Sequence, residues 1–165
     1  MTALQTAFVA LLTALLVGVV LFGAFAARTA LAIRGSGTGG GSWIGRIGRA
    51  SDRDAQRWAF VAHRVTGVAV FAFLLLHVFD VSLYAISASR FDDVHRLYGT
   101  AAMRVFECLL LFAILFHTFN GLRLVALDVA ELSAQTAKRL LVVAVALSLV
   151  LGLAAGAIIL QPELS

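Results

Sequence analysis

Leu115-Phe116-His117-Thr118-Phe119-Asn120-Gly121-Leu122-Arg123-Leu124-Val125-Ala126-Leu127-Asp128 sets one imidazole and a cluster of polar groups into an otherwise apolar run. The spacing predicts a helix. At about 100° per residue, His117, Gly121, Leu124 and Asp128 share a face, with Asn120 beside it. Within a bilayer that face must look at protein or at a bound group, because ionisable side chains turned toward lipid are costly. A histidine with a glycine one turn away suits a flat macrocycle: imidazole holds the metal, and a residue without Cβ lets the ring approach the backbone. The competing reading of His117 is a structural imidazole hydrogen-bonded across helices.

Outward from this stretch the chain stays apolar. Its 165 residues are 61% hydrophobic and 13% charged, with mean hydropathy +0.97 and a single proline. That composition excludes an ordinary soluble domain, and runs of about 20 apolar residues read as membrane spans. The fold expected is an all-α membrane protein with four transmembrane helices, over residues 5–33, 58–86, 98–128 and 137–160. The net charge of +4 comes with no basic patch interleaved with aromatics in a soluble segment, so no nucleic-acid partner is expected. Cys108, the single cysteine, lies mid-span and excludes an intrachain disulfide or a cysteine-ligated iron-sulfur cluster within this chain. It reads as a small packing residue.

Three segments are expected: an extra N-terminal transmembrane helix (1–34), a Gly-rich and basic linker (35–56), and a three-helix unit (57–165). The start lacks the basic n-region and short apolar core of a cleaved signal, which predicts a retained helix packed on a neighbouring subunit or lipid. The glycine tract Gly35–Ser42 reads as a flexible spacer. After it, Trp43 is expected at headgroup depth with Arg46, Arg49 and Arg53 toward phosphates. In the second span His63 and Gly67 repeat the His-x-x-x-Gly spacing of His117 and Gly121. His77 follows 14 residues on, roughly 21 Å along the axis and about 40° around it. Asp80, one turn further, is a candidate to orient the His77 imidazole. A polar loop is expected from Ser87 to Leu97, with His95 solvated. Arg104 and Glu107 are spaced to pair on the third span. The fourth is almost featureless, ending at Pro162 and Glu163 in water.

Orientation follows from the basic residues. With four spans, the linker and the third connection share a side, which holds Arg28, Arg34, Arg46, Arg49, Arg53, Arg57, Arg64, Arg123, Lys138 and Arg139, against Arg90, Arg96 and Arg104 opposite. Cytoplasmic loops carry the Lys/Arg excess, so the linker is expected inside and both termini outside. In the preferred helix register Arg64 is level with Arg123, leaving His77 and His117 roughly 10 Å apart along the bundle; aligning Arg64 with Asp128 would make them nearly level.

His63-Arg64-Val65-Thr66-Gly67 resembles a His-Arg-x-Ser/Thr-Gly signature, and His117-Thr118-Phe119-Asn120-Gly121-Leu122-Arg123 followed by Asp128 resembles His-x-x-x-Gly-x-Arg. Both belong to the cytochrome b membrane-anchor subunit of succinate dehydrogenase. The resemblance covers about Trp58 to Leu160 and leaves the first helix and linker outside it. It implies a multi-pass subunit in the inner or plasma membrane of a prokaryote, with a flavoprotein, an iron-sulfur protein and a second small anchor subunit as partners. FAD and iron-sulfur clusters would reside in those partners, and electrons from succinate would reach a quinone beside haem b.

On this resemblance His117 matches the axial haem ligand, and His63, Arg64 and Arg123 match residues near haem propionates or quinone. Gly67 and Gly121 would pack on the haem. The pattern is departed from at Phe60, where many relatives carry serine, and at Leu124, where they carry histidine; Phe60 and Thr66 stand as secondary quinone candidates. No residue of the fourth span can ligate iron, so the second axial ligand is expected from another chain. His77 is the candidate for a second haem, making one or two per chain. A haem-free structural anchor is the alternative, and a transporter subunit a poorer one, since no relay of deep ionisable groups is present.

Overall fold

Three of the helices begin where a small hydroxyl residue precedes an apolar run and caps it, since the first amide groups of a helix lack intrahelical partners. The computed structural model describes the backbone of residues 1–32, 43–130 and 132–164, and side chains within 1–31, 53–130 and 132–161. Thr2 and Gln5 form a capping box, each side chain accepting the other's amide at 3.2 and 2.9 Å, and open α1 (Ala3–Ala32). The Thr100 hydroxyl accepts from the Met103 amide at 3.4 Å ahead of α4 (Ala101–Ala130). Ser133 does the same for Thr136 at 3.3 Å ahead of α5 (Ala134–Leu164). The longest element, α2 (Trp43–Ile86), and the short α3 (Ala88–His95) complete the set.

Four stretches are long and apolar enough to cross a bilayer: Ala3–Leu31, Arg53–Ile86, Ala101–Ala130 and Ala134–Gln161. Among the described residues every regular element is helical, as expected of an all-α membrane protein. In α2 the backbone helix runs back to Trp43, so the basic stretch before residue 57 continues the helix, while the apolar span begins at Arg53. The expectations for the glycine tract and for the side chains of Trp43, Arg46 and Arg49 lie outside the described residues. So do those for Pro162 and Glu163, although the α5 backbone runs past them to Leu164.

The loop expected over Ser87–Leu97 is instead α3 followed by a 3₁₀ turn, Arg96–Gly99. Its polar letters concealed an apolar stripe: Phe91, Val94 and Tyr98 recur at helical spacing, and Val94 is fully buried. Phe8 and Leu12 of α1, Leu76 and Leu83 of α2, Val94 of α3 and Met103 of α4 close one core. Gln5 ties α1 to α3 by donating to the Asp93 carbonyl at 2.7 Å. A second cluster joins Ala26 and Ala30 of α1 to Val61 and Val65 of α2. The helices neighbour one another in the order α1, α2, α4, α5, with α3 laid across one end.

The α4–α5 contact depends on small residues. Ala144, Ser148, Gly152 and Gly156, four apart, are all buried on one face of α5. A Cβ on Gly152 would stand 2.4 Å from the Phe112 ring, so only glycine admits that phenyl group. Arg104 of α4 donates to the Ile159 carbonyl at 3.1 Å across the same interface.

Candidate functional site

Two histidines meet where α2 and α4 run antiparallel. The His63 and His117 rings stack face to face, centroids 4.0 Å apart and planes 4° from parallel. Each sits over the glycine of the other helix: a Cβ on Gly67 would lie 2.8 Å from His117 Cε1, and one on Gly121 would lie 3.3 Å from His63 Cε1. The repeated His-x-x-x-Gly motif therefore makes a reciprocal pair, each glycine opening space for the opposing imidazole.

His117 is oriented by backbone. Its Nδ1 lies 3.0 Å from the His63 carbonyl oxygen, which can only accept, so Nδ1 carries the hydrogen and the neutral ring keeps its lone pair on Nε2. The Thr66 hydroxyl stands 3.4 Å from the same Nδ1 and donates to the Ala62 carbonyl at 2.8 Å. His63 Nδ1 is buried without a hydrogen-bond partner.

The remaining candidates fall into separate places. Arg64 is exposed, its guanidinium 5.5 Å from the centre of the exposed Phe60 ring. Thr66 turns instead toward α4 and α5, lining an apolar groove of about 340 Å³ with Ala62, Phe112, Phe116 and Ser148. Arg123 is buried, 6% exposed, and committed to protein. It donates to the Asn120 side chain at 3.0 Å, to the Ala137 carbonyl of α5 at 3.1 Å, and to the Gln56 side chain of α2. Asn120 is fully buried, with its amide nitrogen unpartnered.

The stacked pair fixes the helix register. Gly67 is level with His117 and His63 with Gly121, which sets Arg64 level with Asn120, one turn short of the Arg123 pairing expected. His77 then stands ten residues beyond the level of His117, about 15 Å along the axis. It is exposed on the outside of the bundle and stacks on Phe73, centroids 5.6 Å apart. Asp80 is not its orienting partner. It is 5% exposed and turned inward against the Tyr98 hydroxyl. Burial, then the Asp80 charge and hydrogen bond, push the Tyr98 hydroxyl well above its ordinary value.

Gln56 and Tyr98 were not singled out from the sequence. The signal for each was a charged residue, Arg123 or Asp80, that an apolar helix cannot bury without a partner. Among the described residues no group of three or more histidine, cysteine or acidic side chains is arranged to hold a metal.

Residues 46–155, which contain both motifs and the whole stacked pair, match the model of the succinate dehydrogenase/fumarate reductase transmembrane subunit family. The chain belongs to this family. The match leaves α1 outside it, as the motif resemblance does. Among curated relatives, the succinate dehydrogenase 2 membrane subunit SdhC of Mycobacterium tuberculosis is 35% identical over 75 residues, 46% of this chain and 55% of that protein. The succinate dehydrogenase hydrophobic membrane anchor subunit of Halobacterium salinarum is 30% identical over 86 residues, 52% of this chain and 66% of that protein. The matched stretch thus spans between about half and two thirds of these relatives' own lengths. No solved structure matches the chain. Membership in the transmembrane-subunit family agrees with the four apolar helices and with the lack of a cysteine set for an iron-sulfur cluster in this sequence.

Proposed function

We propose that this chain is the cytochrome b membrane anchor of a succinate:quinone oxidoreductase, which binds haem b through His117 and contributes to the site where quinone receives electrons from an iron-sulfur subunit. The observation that carries the reading is the His117 imidazole. Its Nδ1–H donates to a backbone carbonyl, so Nε2 is left with the lone pair that a haem iron takes. The donor chemistry fits a haem; bound there, the group supplies a one-electron carrier. His63 and His117 lie face to face rather than on either side of a gap, so His117 would hold the iron without His63, and a second ligand would come from another chain.

On this reading succinate is oxidised on partner subunits carrying FAD and iron-sulfur clusters, since the single cysteine of this sequence cannot hold a cysteine-ligated cluster. A second small membrane subunit completes the anchor. Arg64, exposed beside Phe60, offers a forked donor to quinone carbonyl or propionate oxygens. Arg123, with its donors engaged by Asn120, Gln56 and Ala137, serves the reading by bracing α4 rather than by touching a ligand. The excess of Lys and Arg around Arg53, Arg123 and Lys138 supports a cytoplasmic position for that end.

One observation favours a second reading, a haem-free anchor: the space over Gly121 is filled by His63. A reduced-minus-oxidised spectrum of the purified complex separates the two. A low-spin b-type band that His117→Ala removes while the complex still assembles is the expected result. A complex without the band, or a band unchanged in that variant, overturns the haem assignment. A flavoprotein and an iron-sulfur protein co-purifying at one copy each test the parent complex.

A further inference from the structure

We infer that the ligand properties of His117 are set by α2: the turn His63–Gly67 is its outer shell, with Thr66 the positioning side chain and Gly67 the seat for the ring. This rests on the haem reading above and goes beyond it, since it takes Thr66 away from quinone contact and Gly67 away from haem packing.

Three contacts converge on one imidazole from the helix opposite. The His63 carbonyl accepts the Nδ1 hydrogen at 3.0 Å. That carbonyl also receives the Thr66 hydroxyl at 3.1 Å, but the shorter bond of the same hydroxyl, 2.8 Å, runs to the Ala62 carbonyl. With its hydrogen engaged by Ala62, Oγ1 turns a lone pair toward His117 Nδ1, 3.4 Å away, as a second, weaker acceptor. The third contact is steric. The Cα of Gly67 faces the ring so closely that a Cβ would stand 2.8 Å from Cε1 and 3.2 Å from Nδ1. An imidazole whose N–H is accepted by a carbonyl is the more basic ligand at its other nitrogen, and its orientation is fixed. Such a ligand favours oxidised over reduced iron.

The sign of each substitution follows. Thr66→Val keeps the shape and removes the second acceptor, making Nε2 a poorer donor and raising the midpoint potential of the iron it holds. A threefold loss in preference for the oxidised state corresponds to about 30 mV for one electron, at about 59 mV per tenfold change. Thr66→Ser restores the hydroxyl and returns the wild-type value. Gly67→Ala moves the ring off the carbonyl, which changes the low-spin electron paramagnetic resonance g values.

Potentiometric titration and electron paramagnetic resonance of the intact complex carry the test, in wild type and the three variants. The inference holds if Thr66→Val raises the haem midpoint while haem per complex stays constant, and Thr66→Ser does not. It is overturned if haem is present and the Thr66→Val potential equals wild type, whether or not Gly67→Ala assembles. A wild-type complex without haem overturns the parent reading instead, and this inference with it.

Discussion

Arg123 carries a permanent charge into a helix that is otherwise apolar, and its surroundings show how such a charge is held. Three acceptors from three helices surround it: Asn120 on its own helix, Gln56 on α2 and the Ala137 carbonyl on α5. Removing the guanidinium leaves buried acceptors without donors, each at a cost of about 1–3 kcal/mol. Arg123→Met is therefore expected to lower the thermal stability of the purified complex by several degrees. Gln56→Leu, which removes one of the three, should lower it less. Equal stability in wild type and Arg123→Met would show that the network contributes nothing. The His-x-x-x-Gly repeat was legible in the sequence as two imidazoles and two gaps at one level of the membrane. That each gap serves the opposing histidine was not, because spacing along one helix gives the face but not the register of the neighbour.

Small residues set the closest approach between helices, where lipid offers no hydrophobic drive for association. The fourth span reads as featureless by charge and aromatic content, yet Ala144, Ser148, Gly152 and Gly156 form a stripe four residues apart that seats α4. The stripe was readable as a small-residue repeat; its partner, the Phe112 ring, was not. Gly152→Ala would press a methyl group into that ring and is expected to destabilise the α4–α5 pair by about 1–3 kcal/mol. Gly18→Ala, where a Cβ meets nothing within 4 Å, is the neutral comparison in the same unfolding experiment. A different segment, α3 with the 3₁₀ turn after it, reads as a loop because Asp92, Asp93 and Arg96 dominate its letters while two or three apolar residues decide its packing. It is docked in part through Tyr98 on Asp80. The folded state holds the Tyr98 hydroxyl protonated above its ordinary value of 10, so this contribution is complete below pH 10 and is lost as pH rises beyond it. Wild-type stability should therefore fall more steeply above pH 10 than that of Tyr98→Phe; parallel curves would remove Tyr98 from the account.

At the scale of the molecule, the two remaining questions are how many groups the bundle can hold and which way it lies in the membrane. His77 and His117 are separated by about 15 Å along the axis, more than the sequence-based register implied, and face different surroundings. On the haem reading they are expected to act independently, so His77→Ala should leave the His117 band at its wild-type position. Total haem falling from two to one per chain would then assign His77 a group completed by a partner, and one in both proteins would assign it none. The proposed orientation rests, among the described side chains, on the excess of basic residues at the end that contains Arg53, Arg123 and Lys138 over the end that contains Arg90, Arg96 and Arg104. Positive charge is retained on the cytoplasmic side, so on the proposed orientation α3 is expected to face out. Single cysteines in a Cys108→Ser background give the test, since Ser89 on α3 and Ser133 before α5 are both exposed and lie at opposite ends. A membrane-impermeant thiol reagent applied to intact cells should modify Ser89→Cys and spare Ser133→Cys, and inverted vesicles should give the reverse. Labelling of Ser133→Cys in intact cells would invert the molecule, moving the stacked histidines and Arg64 to the outer half of the bilayer, away from any cytoplasmic iron-sulfur partner.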